Sequence, residues 1–166
     1  LQQGESVANI TIQTTSYAAD SELIYALRKT VFIDEQGVPA DIEIDELDPV
    51  CRHVLAWRDG VAVGTGRIAP DGRIGRMAVI ESFRGQGIGH GMLVELVRLG
   101  RQAGVDRLYL SAQCQAIPFY EKAGFVISGP VHEEAGIEHR LMILPPETGL
   151  DEGERVETNP QLPTQR

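Results

Sequence analysis

Arg84-Gly85-Gln86-Gly87-Ile88-Gly89 stands directly before an apolar-periodic run from Met92 to Leu99, and its reading decides the rest of the chain. Three glycines in five residues leave almost no side-chain bulk in this loop. Its N–H groups can therefore converge on one point, at the mouth of a helix whose first amides lack partners and favour an anion. The stretch reads as a cradle for a phosphate or diphosphate, which implies a nucleotide-bearing ligand.

Two other glycine-rich loops are excluded by what surrounds this one. A nucleotide-hydrolysing loop needs Lys followed by Ser or Thr after its last glycine, and here His90-Gly91 follows Gly89. A dinucleotide fingerprint needs G-x-G-x-x-G, which neither Gly85 nor Gly87 begins. The acidic residue expected about 20 positions later is also missing, since Asp106 precedes the next strand rather than ending it.

The pattern Arg-x-x-Gly-x-Gly between a strand and a helix resembles the acyl-CoA loop of the GNAT superfamily of N-acetyltransferases. Ile74-Gly75-Arg76-Met77-Ala78-Val79 resembles that superfamily's fourth strand, and Leu108-Tyr109-Leu110-Ser111-Ala112-Gln113 its fifth. Ile117-Pro118-Phe119-Tyr120-Glu121-Lys122-Ala123-Gly124-Phe125 is similar to the helix and strand that follow. With Val31-Phe32-Ile33-Asp34-Glu35-Gln36 and Glu133-Glu134-Ala135-Gly136-Ile137-Glu138-His139, the chain resembles the ElaA-like branch from about residue 10 to 145. The fold this implies is α/β (α+β): a mixed, mostly antiparallel central sheet, helices on both faces, and fourth and fifth strands splayed apart. An isolated glycine turn could equally serve only close packing of a helix on a sheet; the order and spacing of the flanking segments argue for the ligand reading.

Composition sets bounds. A chain of 166 residues suits one domain, here 1–145, followed by a polar, acidic, proline-bearing tail, 146–166, with little to bury. No apolar stretch approaches the ~20 residues of a membrane span, so no membrane partner is expected. Leu1 to Ser6 has neither a basic region nor an apolar run, so no secretory signal is read there. Cys51 and Cys114 make neither a metal spacing nor a disulfide framework, and a cytoplasmic setting is expected. No metal is expected. A net charge of −9 argues against nucleic acid. From Asp34 to Asp48 there are seven acids and no Lys or Arg, whereas Arg67, Arg73, Arg76, Arg84, Arg98, Arg101 and Arg107 follow. A cationic acceptor near the acidic segment and an anionic ligand near the arginines would suit this asymmetry. Two solvated faces would equally produce it.

Ile10 to Thr14 alternates as a first strand, and Asp20 or Ser21 can cap a helix through Phe32. Asp34 to Val50 reads as a long loop with one short helical turn; loops of that length usually act in function. Asp59-Gly60 joins strands 53–57 and 61–68, and Asp71-Gly72 leads into a strand ending near Val79, giving an antiparallel meander. A helix over 87–103 with Gly104 as its C-terminal cap follows, then a strand over 107–112, a helix over 116–123, and strands near 125–131 and 137–144.

The resemblance implies acetyl-CoA as co-substrate and a primary amine of a small molecule or peptide as acceptor, joined by direct attack in a ternary complex. It assigns the diphosphate to Arg84, Gly85, Gln86, Gly87, Ile88 and Gly89. The pantetheine arm goes to Met77, Ala78 and Val79, with the Val79 N–H at the thioester oxygen and Phe119 beside the cofactor. Tyr120 becomes the acid that protonates the leaving thiolate. A base must neutralise the ammonium, the candidates being Glu35, Glu43, His53 and His139; Glu35 is preferred and His139 is second, and Gln36, Glu43, His53 and Gln113 border the acceptor. An acyl-enzyme at Cys114 is the lesser route, because no His or Lys adjoins it in sequence. Ala135, Glu138 and His132 depart from the branch pattern on the last hairpin, which borders the acceptor. A regulatory module that binds acyl-CoA without turnover is the alternative, an oligomeric scaffold is a third reading, and a homodimer is left open.

Overall fold

The computed structural model describes residues 9–40 and 45–146; Glu43 and the tail beyond Pro146 lie outside the described residues. Strands β1 (Ile10–Thr15), β2 (Arg52–Arg58), β3 (Val61–Ile68) and β4 (Ile74–Val79) form an antiparallel meander in that spatial order. Asp59 (φ 49°) and Gly60 (φ 84°) both adopt positive φ, the geometry that a two-residue hairpin needs to match strand twist. A second sheet holds β5 (Leu108–Gln113), β8 (Ile137–Leu144) and β6 (Val126–Ile127), with β7 (His132–Glu134) paired to β8.

Period-two alternation sends the meander's side chains to two different cores. Val54 and Ala56 join Val63, Met92, Leu93 and Leu96 on one face, and Leu55 joins Ile24 and Leu27 on the other. Helix α1 (Tyr17–Arg28) therefore covers one face and α2 (Ile88–Gln102) the other. Gly64 and Gly66 let α2 lie close: a Cβ at Gly66 would stand 3.0 Å from Leu96, and one at Gly64 would stand 3.2 Å from Met92.

The chain's first helix begins earlier than its sequence suggests. Ser16 is the cap, its Oγ accepting from the Ala19 N–H at 3.1 Å, while Asp20 sits inside at a kink (φ −132°) and accepts from the Thr15 hydroxyl at 2.6 Å. After Arg28 the helix widens into a π-helical stretch, Lys29–Glu35, rather than ending near Phe32. Helices α2 and α3 (Ile117–Lys122) lie within a residue or so of their expected bounds. Within the acidic segment Asp48–Val50 makes a short 3-10 turn, as expected. The region 125–131 forms only the two-residue β6, and the chain adds β7 before the Ala135-Gly136 turn.

The two sheets meet at one place. Arg73 bridges Tyr109 in parallel, and the Tyr109 N–H donates to the Gly72 carbonyl at 3.1 Å. Beyond that point β4 and β5 share no ladder and diverge, so the expected splay is present.

Candidate active site

At the end of β4 the chain makes a 3-10 turn, Glu81–Phe83, and enters the glycine loop. Gly85 (φ 80°) and Gly87 (φ 85°) take left-handed conformations, which a side chain would strain. Added Cβ atoms there would meet nothing within 4 Å, so both open outward. Gly87 caps α2 without any side-chain acceptor, and no protein group accepts from the N–H groups of Gly85 to His90 among the described residues. Exposed, uncompensated amides at a helix start attract an anion. The residues present fit a diphosphate. Phe119 packs against Gly89, where a Cβ would lie 3.4 Å from its ring, and meets Tyr120 edge to face at 4.9 Å.

The gap between β4 and β5 opens into a cavity of about 420 Å³. The free edge of β4 borders this gap. Gly64 stands opposite Val79, and the Ile80 N–H donates to the Val63 carbonyl at 2.9 Å. Strand alternation then directs the Val79 N–H away from β3, toward the gap. Between Gly75 and Ala78 the β4 strand carries one residue more than β3, because Arg67 pairs with Gly75 and Thr65 with Ala78. This is a β-bulge, and Arg76 within it takes φ 51°. A non-glycine residue held there costs about 1–3 kcal/mol, so its surroundings must hold it in place.

Among the residues assigned to the site from sequence, Met77, Tyr120, Gln36, Gln113 and His139 line the cavity. The Gln113 amide donates to Gln36 at 3.0 Å, joining the end of β5 to the segment just after the π-helical stretch. Tyr120 Oη lies 4.0 Å from Met77 Sδ, and burial pushes its phenol up to about 12. His139 is buried beside the cavity, directly across from Gln113. Its Nδ1 must donate to the Ile137 carbonyl at 2.7 Å, since a carbonyl can only accept; in the neutral ring this leaves the lone pair on Nε2.

Glu35 and His53 stand outside that lining. Both Glu35 oxygens accept from Arg84, at 2.7 and 2.8 Å. The Arg84 guanidinium holds the Glu35 carboxyl below the usual carboxylate range, which weakens it as a base. Arg84 also donates to the Val79 carbonyl at 2.9 Å, so it ties the glycine loop to both the β4 end and the π-helical stretch. His53 is 1% exposed, donates through Nε2 to the Asp48 carbonyl at 2.9 Å, and has no partner at Nδ1. Burial pushes its imidazole pKa down. It is packed inside, away from any acceptor.

Two acids of the acidic segment, Asp45 and Asp48, are held by arginines. Asp48 is fully buried and receives both Arg28 nitrogens at 2.9 and 3.1 Å and Arg67 at 2.7 Å. Asp45 receives Arg67 at 2.8 and 2.9 Å and Arg76 at 3.1 Å. Hydrogen bonds from Arg67 lead in holding Asp45 far below its ordinary value. Burial opposes ionisation of Asp48, yet Arg28 and Arg67 together keep its pKa lowered. Asp45 and Asp48 are thus consumed by arginines within the protein. The sequence alone could not show this, because the partners lie 19 to 31 residues away.

Sequence reasoning missed a polar group on the far wall. Ser111 donates to Glu134 at 2.6 Å, His132 lies 2.7 Å from the same Glu134 oxygen, and the His132 and His139 rings stack with centroids 6.1 Å apart. Burial raises the Glu134 pKa, but the Ser111 and His132 hydrogen bonds outweigh it and the carboxyl stays lowered. The alternation of Tyr109, Ser111 and Gln113 on β5 was the available signal for Ser111. Cys114 is a free, half-buried thiol. Among the described residues no cluster of three or more His, Cys, Asp or Glu could hold a metal.

Comparison with known proteins supplies the family. Residues 16–145 match the sequence profile described as Acetyltransferase (GNAT) domain. The Bacillus subtilis (strain 168) protein YjcF, described as an uncharacterized N-acetyltransferase, is 36% identical over 123 residues, 72% of this chain and 88% of its own length. A crystal structure of an acyl-CoA N-acyltransferase from Pseudomonas aeruginosa superposes with a TM-score of 0.73 at 30% identity, over 81% of this chain and 99% of that one. Protein ElaA of Escherichia coli (strain K12) is 34% identical over 68% of this chain and 79% of its own. The ElaA crystal structure superposes with a TM-score of 0.73, over 81% of this chain and 99% of that one. Fold and family together support acyl transfer as the general activity, and the chain belongs to the GNAT acetyltransferases, in their ElaA-like branch.

Proposed function

We propose that this chain moves the acetyl group of acetyl-CoA to a primary amine of a small molecule or peptide, by direct attack in a ternary complex. One observation carries the reading: unpartnered amides at the start of α2 stand beside a gap whose β4 edge is also unpartnered. An extended thioester ligand with a diphosphate needs both, one for its charge and one for its arm. Arg84 and the amides of 85–89 hold the diphosphate. Met77, Ala78 and Val79 receive the pantetheine, and the Val79 N–H polarises the thioester carbonyl, an interaction worth about 3 kcal/mol of barrier in acyl-transfer sites.

The acceptor enters the cavity on the side of Gln36, Gln113 and His139. Its nitrogen must be neutral to attack, because a free alkyl ammonium titrates near ~10. His139 takes the proton at Nε2, and we rank it ahead of Glu35, whose carboxylate is engaged by Arg84. The new C–N bond forms, the C–S bond breaks, and Tyr120 gives its proton to the departing sulfur. Tyr120 stays protonated at neutral pH. The burial that raises its phenol also raises a thiolate in the same place, which narrows the mismatch between them. Gln36 and Gln113, joined to each other, orient the acceptor. The free thiols of Cys51 and Cys114 suit a reducing cytoplasm.

Thiol release from acetyl-CoA, measured across a panel of small amines and peptides, tests the proposal: amine-dependent release supports it. Binding of acetyl-CoA with no release for any amine would favour the non-catalytic module. Tyr120→Phe should lower turnover by about 100-fold while leaving acetyl-CoA affinity nearly unchanged. An unaltered rate would remove Tyr120 from the reaction.

A further inference from the structure

We infer that Asp45 is a positioning residue for acyl transfer: through Arg76 it holds the β4 bulge, and so sets the aim of the backbone that receives the thioester. The inference rests on the proposed function and adds to it a residue on the cavity wall that acts through another side chain, Arg76.

The argument starts from Arg76. This bulge holds one residue, Arg76, at positive φ, which glycine would adopt without strain. An arginine stands there instead, so its side chain must return something that glycine could not. That side chain reaches Asp45 at 3.1 Å. Asp45 is in turn clamped by two nitrogens of Arg67, at 2.8 and 2.9 Å. Arg67 stands on β3 opposite Gly75, the residue just before the bulge. Asp45 therefore links the strand on one side of the irregularity to the irregular residue itself.

The clamp is anchored from below. Asp48 is fully buried, receives Arg28 of α1 through two bonds, and shares Arg67 with Asp45. Its own backbone accepts from His53 at 2.9 Å. The Leu47 N–H donates to Asp45 at 3.1 Å, fixing the carboxylate's direction within its turn. The loop that carries Asp45 thus cannot drift without disturbing α1, β2 and β3. Where a β-strand takes one extra residue, the orientation of every following N–H depends on how that residue is held. Met77 to Val79 follow directly.

The experiment reads the carbonyl of acetyl-CoA labelled with carbon-13 at the thioester, by isotope-edited infrared spectroscopy of the bound complex, alongside calorimetry. In the native protein the bound carbonyl frequency should fall below that of free acetyl-CoA. Asp45→Asn should move it most of the way back, with affinity for coenzyme A within about twofold, since the glycine loop is untouched. Turnover with the best amine of the panel should drop about tenfold to a hundredfold, the range expected for a small misplacement. Asp45→Glu should restore part of the shift. Arg76→Gly suits the bulge conformation and removes the tether, so it should fold and reproduce the Asp45→Asn spectrum. A carbonyl frequency unchanged from native in both Asp45→Asn and Arg76→Gly would overturn the inference while leaving the proposed function standing. A native chain that binds no acetyl-CoA would overturn the proposed function, and the inference with it.

Discussion

The glycine loop before α2 and the Asp45–Asp48 turn lie at opposite ends of β4, and they treat charge in opposite ways. Gly85 and Gly87 expose N–H groups that meet no acceptor among the described residues. Asp45 and Asp48 place two full charges against three guanidiniums, with Asp48 wholly out of water. An uncompensated partial charge is cheap to leave exposed and available to a ligand. A buried full charge is tolerable only when its partners are fixed, and fixed partners make a rigid support. The first region is therefore suited to binding, and the second to holding a wall in place.

The largest effect should come from breaking the buried side of that contrast. Asp48→Asn leaves Arg28 buried with its bidentate partner neutral, which should destabilise the fold by about 3–5 kcal/mol in urea unfolding. The sign with pH follows from the lowered carboxyl groups of Asp45 and Asp48. Their stabilisation is present above the unfolded value of about 3.9 and is lost as pH falls toward their folded values. Asp48→Asn should flatten part of that acid limb, leaving the share due to Asp45; a native-like loss of stability below pH 4 in the variant would show that Asp48 is not its source.

Breaking the exposed side should affect binding and spare the fold by comparison. Gly87→Glu adds a carboxylate and a strained φ to the loop, and affinity for coenzyme A should fall by about 100-fold, or ~2.7 kcal/mol. Affinity equal to native would mean that the diphosphate sits elsewhere.

The smallest effect sharpens the exposed side of the comparison, at the Arg84–Glu35 pair that ties the glycine loop to the π-helical stretch. Glu35→Gln should change stability by no more than about 1 kcal/mol, as exposed pairs generally do. Its value is kinetic. If Glu35 were the base, its lowered carboxyl would put the acid limb of kcat/KM below the ordinary glutamate value of about 4.3, and the variant would abolish that limb. An acid limb retained in Glu35→Gln and lost in His139→Gln would give the role to His139.

Local patterns carried much of the architecture into the sequence. Asp59-Gly60 announces its hairpin because two positive φ values in succession favour those residues. Helix α2 is legible from its apolar spacing, and the loop before it from its glycines, since both act over a few residues. The first helix was harder. Ser16 and Asp20 are both good capping residues, and only the contact of Asp20 with Thr15 decides between them. The π-helical stretch left no sequence mark, because its hydrogen bonds differ from an α-helix only in reach.

The reach of the interaction separates what the residues alone determined from what needed the folded chain. The glycine loop, the hairpin turns of the meander and the family resemblance are matters of short-range order, and the sequence by itself determined them. Whether an acid faces a substrate or an arginine depends on which strands come together, and only the tertiary structure decided that. Asp48 meets Arg28 and Arg67 across 20 and 19 residues, and His53 turns inward because its strand is covered by α1. Side-chain charge says nothing about its partner until the backbone has brought the two within reach, whereas a glycine's backbone freedom is written into the residue itself.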